Sequence, residues 1–316
     1  MTPPNTAAPQ PLTQSRAGHA SNYGAALVLA SAISWSLGGL IVRLADVANP
    51  WNTIFWRTGT ATILILLFML WRDGRQGTLT LFKSMGWPGF AVGAGFTISS
   101  VLFVIALDNT TVANVTLMQA SVPLIAALIS WILFREALQL STWIAIGAVI
   151  VGVGVMVSDS FTGAMSPLGD GLAILVAVGF AATTVTARRY AHIRMTPAVC
   201  LGAAMACVFA LVMSYLTVGS VSVTPGQLFW LIAFGVSFGG GMVLFASGVP
   251  LIPSAFAALL GTAETILGPL WVWLVIGEVP SNRTLIGGGI VLAALIAYLG
   301  WQLRQNRRER HIVRPN

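Results

Sequence analysis

Ten predominantly apolar stretches, each about twenty residues long, succeed one another along this chain of 316 residues. A helix that crosses the roughly 30 Å hydrocarbon core takes about 20 residues, so ten such runs put about 200 residues into the membrane. Composition agrees. Charged residues make up 8% and hydrophobic residues 56%, whereas a soluble domain carries about 25% charged residues. Sixteen Lys/Arg and nine Asp/Glu are too few to cover a soluble fold of this size. The fold class predicted is an all-α polytopic membrane protein. The first five spans read as Tyr23–Val42, Trp51–Trp71, Gly86–Leu107, Thr111–Phe134 and Ser141–Val157. The second five read as Leu168–Ala187, Pro197–Val218, Gly226–Ser247, Pro253–Ile276 and Thr284–Leu303.

Charge placement sets an orientation. With the N-terminus in the cytoplasm, thirteen of the sixteen Lys/Arg fall on inside segments. Outside loops hold Arg43 and Arg283, and Arg57 is left within a span. Such a positive-inside bias, with an even number of spans, predicts both termini in the cytoplasm of a multi-pass membrane protein. Residues 1–22, rich in Pro, Ala and Thr, read as a disordered cytoplasmic tail and 304–316 as a basic one. The net charge of +7 is therefore a topology signal beside anionic lipid and not a sign of nucleic-acid binding. Cys200 and Cys207 lie about 10.5 Å apart along one helix, too far for a disulfide.

The chain also repeats itself. A shift of 142 residues aligns Val101-Leu102-Phe103 with Val243-Leu244-Phe245, Trp131 with Trp273, Glu136 with Glu278, and Gly147 with Gly289. Each half, 23–158 and 168–303, then holds five spans. An odd number inverts the second copy, so Glu136 and Glu278 are expected on opposite sides. Inverted repeats around a midplane site are the architecture of many secondary transporters.

Each half ends with an apolar helix, a short loop holding Glu (Phe134-Arg135-Glu136, Ile276-Gly277-Glu278) and a glycine-bearing last helix. With ten spans and a duplication, the chain resembles the EamA family of the drug/metabolite transporter superfamily over roughly Tyr23 to Leu303. The resemblance implies a bacterial inner-membrane exporter of amino acids, aromatic ones among them, or other small metabolites. It also implies a central cavity between the first, third, fourth, sixth, eighth and ninth helices. One departure is visible: where the family often has a Glu-Pro pair in the ninth helix, Glu264 here is followed by Thr265 and the proline comes at Pro269.

Candidate site residues follow from polarity inside the spans. Glu264 lies near the middle of its span, where an acid costs several kcal/mol unless it is neutral, paired or hydrated. It is read either as a cavity group for a substrate amine or proton, or as a protonated acid bonded between helices. Arg57 is open to three readings: snorkelling, pairing with an acid, or contacting a substrate carboxylate. Ser34, Thr97, Ser100, Asn114, Gln119 and Thr183 recur at helical spacing on faces suited to a cavity, although such residues also serve as interhelical glue. Trp35 and Phe238 are candidates to stack on a substrate ring. Pro123 and Pro269 are expected to bend their helices, and with Arg57, Glu136 and Glu278 they form a gating or structural set.

The three histidines lie in tails or one loop, and no acid pair shares a helix face within a span. An enzyme, a metal site and a cofactor are therefore not expected, and no P-loop pattern points to ATP. The reading is a secondary transporter that exports small zwitterionic or neutral metabolites, amino acids first, by alternating access. Its expected partners are a small-molecule substrate and membrane lipids. Two alternatives stay open: an uptake or exchange carrier for other small solutes, and an intramembrane lipid-modifying enzyme. Oligomeric state has no signature in the chain.

Overall fold

The computed structural model describes residues 12–135, 138–158, 166–190 and 193–312, and the backbone alone over 12–21, 254–255 and 305–312. Its helices are α1 (Leu12–Ala45), α2 (Pro50–Ser84), α3 (Gly86–Asn109), α4 (Val112–Gln119), α5 (Val122–Phe134) and α6 (Leu140–Val157). They continue with α7 (Pro167–Arg189), α8 (Thr196–Thr217), α9 (Pro225–Gly248), α10 (Ser254–Gly261), α11 (Ala263–Ile276) and α12 (Asn282–Ile312). A backbone in lipid must satisfy its own polar groups, and a helix does so within one segment. Among the described residues nine stretches are long and apolar enough to cross a membrane, and α4 with α5, bent by 43°, make the tenth. The protein is thus a ten-span helical membrane protein, with spans close to those read from sequence.

Several helices run past the apolar spans. Helix α1 already begins at Leu12, and α12 continues to Ile312. Helix α2 turns at Gly74 (φ 69°), and a polar segment to Ser84 follows. The fourth and ninth spans are each broken, at Ala120–Ser121 and at Thr262. Pro123 sits in the first turn after the first break. Pro269 does not mark the second, because α11 runs through it and the break lies upstream. Ala120 and Thr262 are 142 residues apart, as are the left-handed residues Arg135 (φ 54°) and Gly277 (φ 77°) that end α5 and α11.

Helix pairing follows the same repeat. Helix α1 packs on α9 as α3 packs on α7, and α2 meets α9 as α8 meets α3. Helix α1 lies on α11 as α7 lies on α5, while α2 packs on α8 and α6 on α12, each on its own counterpart. Two inverted five-helix repeats exchanged by a twofold axis give this pattern. Without a hydrophobic drive between helices in lipid, close backbone approach has to hold such pairs. Gly152 and Gly287 supply it between α6 and α12, because a Cβ on either would meet the other's carbonyl oxygen.

The two ends of the bundle differ. One end carries the loops after α1, α3, α6, α8 and α11, and every helix that starts there is capped by a side chain. Asn49 accepts from the Trp51 amide (2.9 Å), Thr111 from Asn114 (3.2 Å), Ser166 from Gly169 (3.3 Å) and Ser281 from Thr284 (3.0 Å). Thr224 and Gln227 form a reciprocal capping box. At the opposite, arginine-rich end, α3, α6, α8 and α10 start without a side-chain cap. Each end also carries an ion pair across the repeats: Arg194 donates through Nη1 to Asp73 (2.8 Å) at the arginine-rich end, and Glu278 centres a larger set at the capped end. Arg43 donates through Nε to Glu278 (2.9 Å) and through Nη2 to the Thr110 carbonyl (2.8 Å), and the Val112 amide donates to Glu278 (2.8 Å).

Candidate functional site

At mid-bundle the two repeats enclose a cavity of about 430 Å³, within the usual range for small-molecule sites. Its walls come largely from repeat-equivalent positions. At the 142-residue offset, Phe96 matches Phe238, Phe103 matches Phe245, Thr116 matches Ala258, Gln119 matches Gly261 and Ala120 matches Thr262, and all line it. Trp35 on α1 and Phe180 on α7, the first helices of the two repeats, line it as well. The broken spans bring their breaks to the wall, since Ala120 and Thr262 both face the cavity. With Phe234, seven aromatic side chains surround the space.

Few polar groups in this wall are free to meet a solute. The hydroxyls of Thr116, Thr184, Thr262 and Thr265 donate to backbone carbonyls of their own or the adjoining turn. The Trp35 indole donates to the Phe238 carbonyl (3.2 Å), and Ser237 donates to the Ser34 carbonyl. That leaves Gln119, Glu264 and Arg57. Neither Gln119 nor Glu264 makes a side-chain hydrogen bond among the described residues, and Glu264 sits in the first turn of α11, two residues past the break. Arg57 is 3% exposed, and only its Nη2 is bonded, to the Ser100 hydroxyl (2.7 Å). Its Nε and Nη1 are buried without a partner.

The residues singled out from sequence thus divide. Trp35, Arg57, Gln119, Pro123, Phe238 and Glu264 come together around the cavity. Ser100 stands behind Arg57 as its acceptor. Ser34 donates to the Ser237 carbonyl (2.9 Å) and ties α1 to α9. Thr97 donates to both the Gly93 and Gly202 carbonyls (2.9 Å each) and ties α3 to α8. Thr183 bonds within its own helix, to Gly179 (2.9 Å), and its neighbour Thr184 lines the cavity instead. Asn114 is fully buried between α4 and α7, donating to Asp170 and to Thr110. Pro269 lies farther along α11, and Glu278 belongs to the tie at the capped end. Glu136 lies outside the described residues.

Sequence reading did not find Phe96, Phe103, Phe180, Phe234 or Phe245. Phenylalanine is common on lipid-facing and packed faces alike, so type and spacing alone do not select the ones at a cavity. The repeat was the usable signal, because Phe96 and Phe238 are identical at the same offset.

The profile of the EamA-like transporter family matches residues 22–158 and again 167–300. Similar proteins include the uncharacterized transporter sll1319 of Synechocystis, 24% identical over 88% of this chain and 93% of its own. The uncharacterized transporter YwfM of Bacillus subtilis is 24% identical over 91% and 97%. An uncharacterized transporter of Helicobacter pylori is 26% identical over about half of each chain, 52% and 55%. A solved crystal structure superposes with a TM-score of 0.63 at 17% identity over 91% of this chain and 99% of the other, which is a likeness of fold.

Proposed function

The chain belongs to the EamA-like transporter family, and from that premise we propose that it exports small metabolites, amino acids with aromatic members among them, across the bacterial inner membrane. The repeats 23–158 and 168–303 act as the two moving units of an alternating-access carrier, with both termini and the arginine-rich end in the cytoplasm. The observation that carries the reading is the midplane cavity built from equivalent positions of both repeats. An inverted pair of units has two arrangements related by the twofold axis, each opening such a cavity to one side. The chemistry of the wall supports the substrate class. One free carboxyl, one free guanidinium and one amide among seven aromatic rings match a zwitterion with an apolar side chain. A multiply charged phosphate would need several cations there.

Counterflow in proteoliposomes tests this directly. Vesicles loaded with unlabelled phenylalanine or leucine should take up the labelled amino acid transiently and saturably. Saturable transport of a sugar phosphate without any amino-acid transport would overturn the substrate class.

A further inference from the structure

Arg57 is placed at odds with a purely structural role. It lies on α2 at cavity depth, with its side chain withdrawn from lipid and from both ends of the bundle. Its guanidinium carbon lies 4.8 Å from the ring centroid of Phe234, 4.9 Å from Phe238 and 5.6 Å from Phe103. Those rings offset part of the charge's lost hydration. They do not satisfy its hydrogen bonds: one nitrogen reaches Ser100, two have no partner, and no ion pair to Arg57 exists among the described residues. A charge buried without a partner is among the costliest arrangements a fold can keep.

A guanidinium offers two edges that fit a carboxylate, Nη1 with Nη2 and Nε with Nη2. Whichever Nη2 hydrogen Ser100 takes, the other one and a free nitrogen leave one edge open. In the conformation seen three rings crowd the guanidinium, so the anchor needs an incoming acid to gain room as one ring, Phe238 foremost, turns aside. Phe238 is suited to this, since its ring lines the cavity and stands 5.7 Å from the Phe96 ring, tilted by 34°.

We propose that Arg57 is the carboxylate anchor of the central cavity, and that the site takes a monocarboxylate with an aromatic or apolar body. The acid group sits on Arg57 and the body among Phe96, Phe238 and Trp35. The proposal rests on the transporter reading above and sharpens it, because it makes the acid group the one required for binding and the amine dispensable. Arg57 is the one cation among the described residues of the wall, which matches a single carboxylate.

The test is titration calorimetry on the purified full-length protein with phenylalanine, 3-phenylpropionate, phenethylamine and inorganic phosphate. The two acids should bind within tenfold of each other, and phenethylamine and phosphate at least tenfold more weakly. Arg57→Gln should weaken both acids at least tenfold, and Arg57→Lys less. If Arg57→Gln fails to fold, Ser100→Ala should still weaken the acids several-fold relative to phenethylamine. Phenethylamine or phosphate binding as well as phenylpropionate, neither acid binding, or acids that bind Arg57→Gln normally would each overturn the anchor. Binding of phenylpropionate without amino-acid counterflow would leave the anchor standing and remove amino acids as cargo.

Discussion

Glu264 and Arg57 are the two ionisable groups of the cavity wall among the described residues, and neither has an ion-pair partner among them. At Glu264 a carboxyl within a span and in the cavity wall is the group placed to exchange a proton with a solute or with water. Glu264→Gln keeps the size and much of the hydrogen bonding but holds no exchangeable proton. We expect export driven by a pH gradient to fall at least tenfold while counterflow, which moves no net proton, stays within twofold. Normal gradient-driven export with a normal pH profile in the variant would remove Glu264 from the mechanism. Ser100 makes a second prediction. It is the one hydrogen-bond acceptor found for Arg57 among the described residues, so Ser100→Ala should destabilise the fold by about 1–2 kcal/mol, read as a lowered melting temperature in detergent. The two charges were legible in sequence because an ionised residue stands out in an apolar run. Their surroundings were not. Asn114 has a cavity residue's composition and spacing, yet it is spent on Asp170, which lies on another helix.

At the scale of helices the ends of the bundle differ in how tightly they are held. Five capped starts at the Arg43 end contribute roughly 1 kcal/mol each. The Arg43–Glu278 pair, about a quarter exposed, adds about 1–2 kcal/mol with its backbone bonds. The opposite end has no side-chain caps on its described starts, and among the described residues its ion pair across the repeats is Arg194–Asp73 (2.8 Å). The Arg43 end is thus the more heavily tied of the two, and in the alternating-access reading proposed above transport requires that tie to open. Crosslinking Arg43→Cys to Glu278→Cys with a short bifunctional thiol reagent, in a background lacking Cys200 and Cys207, should abolish flux. Leaving either cysteine uncrosslinked should preserve some flux. Undiminished transport in the crosslinked protein would show that this end does not open. The spans were legible within a few residues because twenty apolar residues have few alternatives in lipid. The breaks were not, because neither Ala120-Ser121 nor Thr262 contains a glycine or proline, while Pro269 sits inside an unbroken α11. What marks the breaks is their equivalence under the repeat.

Over the whole molecule, that repeat links sequence, cavity and movement. Twelve identities at one offset were enough to expect two inverted units, and the exchange of helix partners between halves follows from them. The twofold is broken where chemistry is needed, since the position equivalent to Glu264 is Val122. Both line the same wall, so the carboxyl has no symmetric twin, and in the proposed alternating-access carrier the two arrangements related by the twofold would differ in energy once it gains or loses a proton. If the more heavily tied Arg43 end is the closed one, the cavity opens toward the arginine-rich end, which the proposed orientation places in the cytoplasm. Ala258→Cys, a cavity position toward that end, should then react with a membrane-impermeant maleimide in inside-out vesicles and at least tenfold more slowly in right-side-out vesicles. Arg304→Cys should show the same sidedness and serves as the topology control. If Arg304→Cys reacts from the periplasmic side, the proposed orientation is wrong. If Arg304→Cys behaves as expected and Ala258→Cys reacts from the periplasmic side alone, the Arg43 end is not the closed end, and the assignment of Arg43 and Glu278 to the gate fails while the topology stands.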